Sequence, residues 1–260
     1  ISVMDFNFDT CEEVDISELD DCFKFMSDKE SIKWINVEGL SDIKTLEKLG
    51  AKFGIHPLVL EDIINTEQRP KIEDMTDYMY ITMKILLVED NDENGEYEIY
   101  VEQLSIVVGK NFIITFLEET SDYFEPIRDR IRLGNGKIRK MGADYLAYAI
   151  MDIVIDNYFI VLEKLVEQLD RIEMKLDKNP KSDSVWSIYN LRKEMIFLRK
   201  YIWPLREVTN MFLKSESELI KDGTRMYIKD IYDHMVQAIE TIEIFREMLS
   251  EMLDIYMSIN

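Results

Sequence analysis

Paired carboxylates are the groups in this chain best suited to chemistry. Glu61-Asp62, Asp152 with Asp156, and Asp230 with Asp233 each place two acids within about one helical turn. Such oxygen donors, in a chain whose only histidines are His56 and His234, suit Mg2+ or Ca2+ better than zinc. The histidine count excludes a His-rich zinc centre and an HExxH protease, and His56 before Pro57 reads as a helix N-cap. Two tempting motifs fail on register. Asp90 to Gly95 begins like a calcium loop, but Val101 stands where the bidentate Glu is required and the flanks read as strands, so a hairpin turn is expected. Gly134-Asn135-Gly136-Lys137 would need its first phosphate-loop Gly at Ile131. No spacing shows that the acid pairs converge. Each pair, taken alone, also fits a solvated helix face or charge that complements a helix dipole.

These acids must be positioned by helices and a sheet. Trp34 to Val37 reads as a buried strand, followed by a helix from Ser41, its expected N-cap, to Phe53. Gly54 stops that helix, and the next starts at Pro57 with Leu58, Leu60 and Ile63 as its apolar side. Strands are expected at 78–88, 97–108 and 112–117, joined through Asn94-Gly95 and Gly109-Lys110-Asn111 as an antiparallel meander in a mixed sheet. Helices follow at about 121–133, 143–178 and 184–214, with Pro180 as a break and Pro204 bending or ending the third. The first 33 residues carry only a possible strand at 3–8 and a helix at 17–26. From Thr224 to Asn260 one amphipathic pattern runs without Gly or Pro, with Ile228, Ile231, Met235, Ile239, Ile242, Phe245 and Leu249 on one side. At 1.5 Å per residue it is roughly 55 Å long, so part of it is expected to project and to continue in a longer parent. The class is α+β: an α/β/α sandwich with a mixed, partly antiparallel sheet, a long helical pair and a projecting C-terminal helix.

Composition sets the remaining limits. With 52 acidic and 31 basic residues the net charge is −21, which argues against nucleic-acid binding and docking on anionic lipid and makes cations the more natural partners, while an acidic solubilising surface fits the charge as well. Cys11 and Cys22 do not make a disulfide framework, so a reducing cytoplasm is expected. The most apolar window, 145–162, carries Asp152 and Asp156 and reads as a buried helix and not as a membrane span.

Gly54-Ile55-His56-Pro57-Leu58-Val59-Leu60-Glu61-Asp62-Ile63, Gln68-Arg69-Pro70-Lys71, Ala143-Asp144-Tyr145-Leu146, Trp203-Pro204-Leu205-Arg206-Glu207-Val208 and Asp230-Ile231-Tyr232-Asp233-His234 strongly resemble the CorA family of magnesium channels. The likeness is collinear from Trp34 to Asn260. It implies a non-enzymatic role: residues 1–222 as a cytoplasmic α/β/α metal-sensing domain, including the helical pair at about 143–214, and residues 223–260 as a stalk helix leading to the first membrane span. It also implies a homopentamer on the cytoplasmic side of the cell membrane, touching the membrane only through C-terminal spans beyond this chain. The regulatory ion is Mg2+, with Co2+ or Ca2+ able to substitute. By resemblance, Asp62 of one protomer and Asp230 of the next bind Mg2+, Glu61 and Asp152 form a more water-mediated site with His234 near it, and Asp254 matches a stalk acid nearer the pore. The family's Gly-Met-Asn signature is absent, so this stretch alone is expected to conduct nothing. The alternatives are a zinc or cobalt transporter domain of the same family and a soluble metal-dependent hydrolase built on Glu61, Asp62, Asp152 and Asp156; the hydrolase lacks a nucleophile with a base or a phosphate-cradling loop.

Overall fold

The computed structural model describes residues 1–259 except 17–18, 24–29, 92–95 and 179–181. Seven strands form one sheet: β1 (Ser2–Phe6), β2 (Cys11–Asp15), β3 (Ile32–Glu38), β4 (Lys71–Asp74), β5 (Tyr78–Asn91), β6 (Glu96–Gly109) and β7 (Phe112–Leu117), in the order β2-β1-β3-β7-β6-β5-β4. The β3–β7 pair is parallel and the other ladders are antiparallel, so the meander β5-β6-β7 lies in a mixed sheet as expected. The central strands are covered on both faces, which is why β7 reads as a nearly unbroken apolar run and why β3 buries Lys33 and Asn36 beside Trp34, Ile35 and Val37. The strands at the two edges read differently. Cys11–Asp15 is mostly exposed and acidic, and Lys71–Asp74 holds three charged residues in four, a composition that discourages edge-to-edge pairing.

One face of the sheet carries α1 (Leu19–Cys22), α2 (Ile43–Phe53) and α3 (Pro57–Ile64), packed over Ile35, Val37, Tyr80, Val107 and Phe116. The other carries α4 (Glu125–Arg132), α5 (Ala143–Lys178), α6 (Ser182–Lys214) and α7 (Asp222–Ile259) over Trp34, Ile81, Ile106 and Ile113. Alternate residues of the strands feed the two cores, as the pleat requires. The α2 helix is capped by Asp42 and not Ser41: the Asp42 carboxylate accepts from the Thr45 N–H at 3.3 Å and the Thr45 hydroxyl at 2.7 Å. Gly54 closes the helix at φ +67, where a Cβ would be strained. In α3 the buried residues are Val59 and Ile63, while Leu58 is turned to solvent.

Three long helices dominate the second face. The apolar 145–162 window is buried in α5, the one described helix long and apolar enough to cross a membrane. The Tyr158 hydroxyl donates to the Lys84 carbonyl and the Asn157 amide to the Leu86 carbonyl, fixing α5 to β5. Pro204 does not end α6, which continues to Lys214. The α7 helix is less bare than its sequence suggests. Ile228, Ile231, Met235, Ile242, Leu249 and Met252 are buried where α5 and α6 run beside it, and only Leu253 and Tyr256 beyond them are half-covered. The Asn94-Gly95 turn, most of the calcium-loop look-alike, the ends of the 17–26 helix and Pro180 fall outside the described residues.

Candidate metal centre

The α5 and α7 helices lie side by side because their first turns share an aromatic cluster. Tyr227 sits 5.1 Å from Tyr145 and 5.3 Å from Tyr148 between ring centroids, and farther along Phe159 meets the His234 ring edge-on at 6.0 Å. Between these contacts, Asp152 and Asp156 of α5 face His234 of α7. One ligand atom from each lies within 4.8 Å of the others. The His234 Nδ1 is buried and has no hydrogen-bond partner among the described residues. Burial, and then the neighbouring Asp156 charge, raises the Asp152 carboxyl above its usual range; the Tyr148 hydroxyl, donating at 3.1 Å, opposes the shift. The Tyr148 phenol is itself pushed far up by burial and by Asp152.

Two carboxylates and an imidazole with an unused nitrogen fit a divalent cation. Around an octahedral ion with bonds of about 2.1 Å, neighbouring ligands lie about 3.0 Å apart and opposite ones about 4.2 Å. A spread of 4.8 Å is wider than this, so the set fits an ion after a small inward rotation, or through one bridging water. The imidazole makes the set softer than an all-oxygen site.

The other predicted residues lie elsewhere within one chain. Asp230 and Asp233 are exposed on α7 beside His234, and Asp230 adds to the negative field at Asp152. Glu61 and Asp62 are on α3, across the sheet from Asp152, so a single chain cannot join them. Asp62 is already engaged: its Oδ1 accepts from the Gln68 amide at 2.8 Å and its Oδ2 from the Lys71 ammonium at 2.6 Å. Lys71 also holds Glu73 at 2.8 Å. Burial lowers the Lys71 pKa, but its bonds to Asp62 and Glu73 outweigh that and leave it raised. His56 is the N-cap of α3, its Nδ1 accepting from the Leu58 N–H at 3.2 Å. Sequence reasoning noted the Asp152–Asp156 spacing yet left Asp156 out of the ligand set, and it missed Lys71 as a partner for Asp62. Both signals were present, one as a one-turn spacing on α5 and the other as a lysine nine residues after Asp62.

Residues 29–260 match the family described as CorA-like Mg2+ transporter protein. The chain is 37% identical over 258 residues to the cobalt/magnesium transport protein CorA of Thermotoga maritima, spanning 99% of this chain and 72% of that protein. The soluble domain of CorA from Methanocaldococcus jannaschii has the same fold, with a TM-score of 0.76 at 21% identity over 98% of this chain and 96% of that one. So does the ZntB cytoplasmic domain from Vibrio parahaemolyticus, at 0.75 and 15% identity, covering 99% of this chain and 97% of that one. The chain therefore belongs to the family of CorA-like Mg2+ transporters.

Proposed function

We propose that this chain is the cytoplasmic Mg2+-sensing regulatory part of a CorA-type transporter, with residues 1–222 as the sensing domain and 223–260 as the stalk. The observation that carries the reading is the convergence of Asp152 and Asp156, on α5 of the sensing domain, with His234 on the stalk helix α7, its Nδ1 without a hydrogen-bond partner among the described residues. In a homopentamer, Asp62 of one protomer and Asp230 of its neighbour hold a divalent ion between them, and Glu61 reaches the Asp152–His234 site from the neighbouring chain. Bound Mg2+ links the protomers and favours the closed state; Co2+ or Ca2+ can take its place. Without the ion, like charges face each other and the interface loosens.

Weak individual sites suffice. Moving a two-state gate from 1:99 to 99:1 takes about 5.5 kcal/mol, or about 1.1 kcal/mol at each of five interfaces. Calorimetric titration with Mg2+ tests the reading. Saturable heat is expected for the wild type and a reduced signal for Asp152→Ala, Asp62→Ala and Asp230→Ala; unchanged heats in all three variants would sink it.

A second reading, transport or sensing of Co2+ or Zn2+, is favoured by the His234 nitrogen in the ligand set. Replacing His234 by Asn should weaken Co2+ binding more than Mg2+ binding.

A further inference from the structure

Two strongly polar side chains are buried in the sheet away from the metal centre. Lys84 of β5 and Gln103 of β6 stand opposite each other in the ladder, 3% and 1% exposed. Burying an ammonium and an amide costs stability unless each is hydrogen-bonded. Both are bonded at one place, the end of α3.

The last carbonyls of that eight-residue helix have no helical donors. The Asn65 N–H reaches the Glu61 carbonyl, at 2.9 Å. Gln103 takes the next two, its Nε2 donating to the Asp62 carbonyl at 3.1 Å and the Ile63 carbonyl at 3.3 Å. Lys84 completes the set, its Nζ donating to the Thr66 carbonyl and, at 3.2 Å, to the Gln103 Oε1. That last bond orients the amide, because an oxygen turned to the ammonium leaves the nitrogen turned to the helix. Burial lowers the Lys84 pKa and Glu118 opposes the shift. The negative end of the α3 dipole also favours the charged form.

Asp62 is therefore gripped twice. Its main chain is held from inside the sheet by Gln103, and its carboxylate from the sheet edge by Gln68 at 2.8 Å and Lys71 at 2.6 Å. The two grips lie close together in the sheet: Lys71 pairs with Thr82, which lies two residues before Lys84 on the same face of β5.

We infer that Gln103, oriented by Lys84, is the positioning residue for Asp62. By fixing the last turn of α3 it sets where the carboxylate points, and so holds it both against Lys71 and within reach of a divalent ion. The second half of this statement rests on the proposed metal role of Asp62; the first half does not.

Gln103→Met tests it, since methionine keeps the length of the side chain and removes both donor and acceptor. A crystal structure of the variant should show the Asp62 carboxylate moved off Lys71. Calorimetry should show Mg2+ bound about tenfold more weakly, the usual effect of losing a group that orients a ligand. The same substitution in an Asp62→Ala background should weaken binding no further, whereas a general loss of stability would act in both backgrounds. The inference is overturned if the Asp62–Lys71 contact is unchanged in the variant, or if the loss of affinity persists without Asp62. A displaced Asp62, with Mg2+ binding indifferent to Asp62→Ala, would uphold the positioning and remove Asp62 from the metal reading alone. Should Gln103→Met not fold, hydrogen exchange on the wild type decides: the Gln103 side-chain amide should exchange together with the Asn65 N–H as one unit, and free, fast exchange of that amide would overturn the inference.

Discussion

Lys71 holds the Asp62 carboxylate at 2.6 Å, so the acid expected to bind a metal between protomers already carries an internal cation. Any ion arriving at Asp62 competes with that ammonium. Replacing Lys71 with Ala should tighten Mg2+ binding in calorimetry several-fold. It should cost little stability, under about 1 kcal/mol, because the pair is partly exposed. The raised Lys71 pKa means that the pair is fully formed below the ordinary lysine value and lost only as pH rises through the folded value, so neutral-pH titrations all report the engaged state.

At Asp152, burial next to Asp156 favours the neutral acid, so the ionised carboxylate strains the metal-free protein at neutral pH. Asp152→Asn should raise the melting temperature of the metal-free chain by roughly 2–4 °C, corresponding to about 1 kcal/mol. It should also abolish most of the further rise that Mg2+ gives the wild type. A variant that melts lower and still responds fully to Mg2+ would remove Asp152 from the centre.

The acid limb of stability should depend on the edge strand β2. Glu13 is held by Arg132 at 2.7 Å and by Arg128 at 3.4 Å, tying β2 to α4. The Arg132 hydrogen bonds keep the Glu13 carboxyl below its usual range. Its contribution is present above the ordinary glutamate pKa and fades as pH falls through the lowered folded value. Glu13→Gln should therefore cost under about 1 kcal/mol at pH 7, with the gap to wild type closing in strongly acidic buffer. A gap that persists there would mean the arginines act through packing alone.

Asp144 is a structural counterpart to these candidate ligands. It is 1% exposed, and its Oδ2 accepts from the Lys221 N–H at 2.9 Å, fastening the start of α5 to the residue before α7. Asp144→Ala should lower unfolding stability by about 1–3 kcal/mol in denaturant melts, since the Lys221 N–H loses its acceptor. Mg2+ binding by the surviving folded fraction should be unchanged.

The sequence disclosed the elements whose residues repeat with a clear period. The α5 bounds at 143 and 178, the β7 bounds at 112 and 117 and the buried stripe of α7 all follow from apolar spacing. It concealed β2 and β4, because an edge strand shielded by charge has the composition of a loop. The cap at Asp42 escaped because Ser41 is an equally good capping residue by type and only backbone geometry chooses between neighbours. The candidate centre was half legible. Sequence resemblance pointed to Asp152 and His234, but the meeting of Asp156 with His234 depends on how α5 and α7 pack, which no local spacing encodes.

The bonds from Tyr158 and Asn157 to the β5 backbone give the helical layer a fixed anchor on the sheet. Because α5 and α6 cover α7 as far as Met252, these two bonds pin to one strand a layer of three helices packed on one another. The neighbouring strand β4 carries Lys71, and through it Asp62, so the helix anchors on β5 and the engaged carboxylate are one ladder apart.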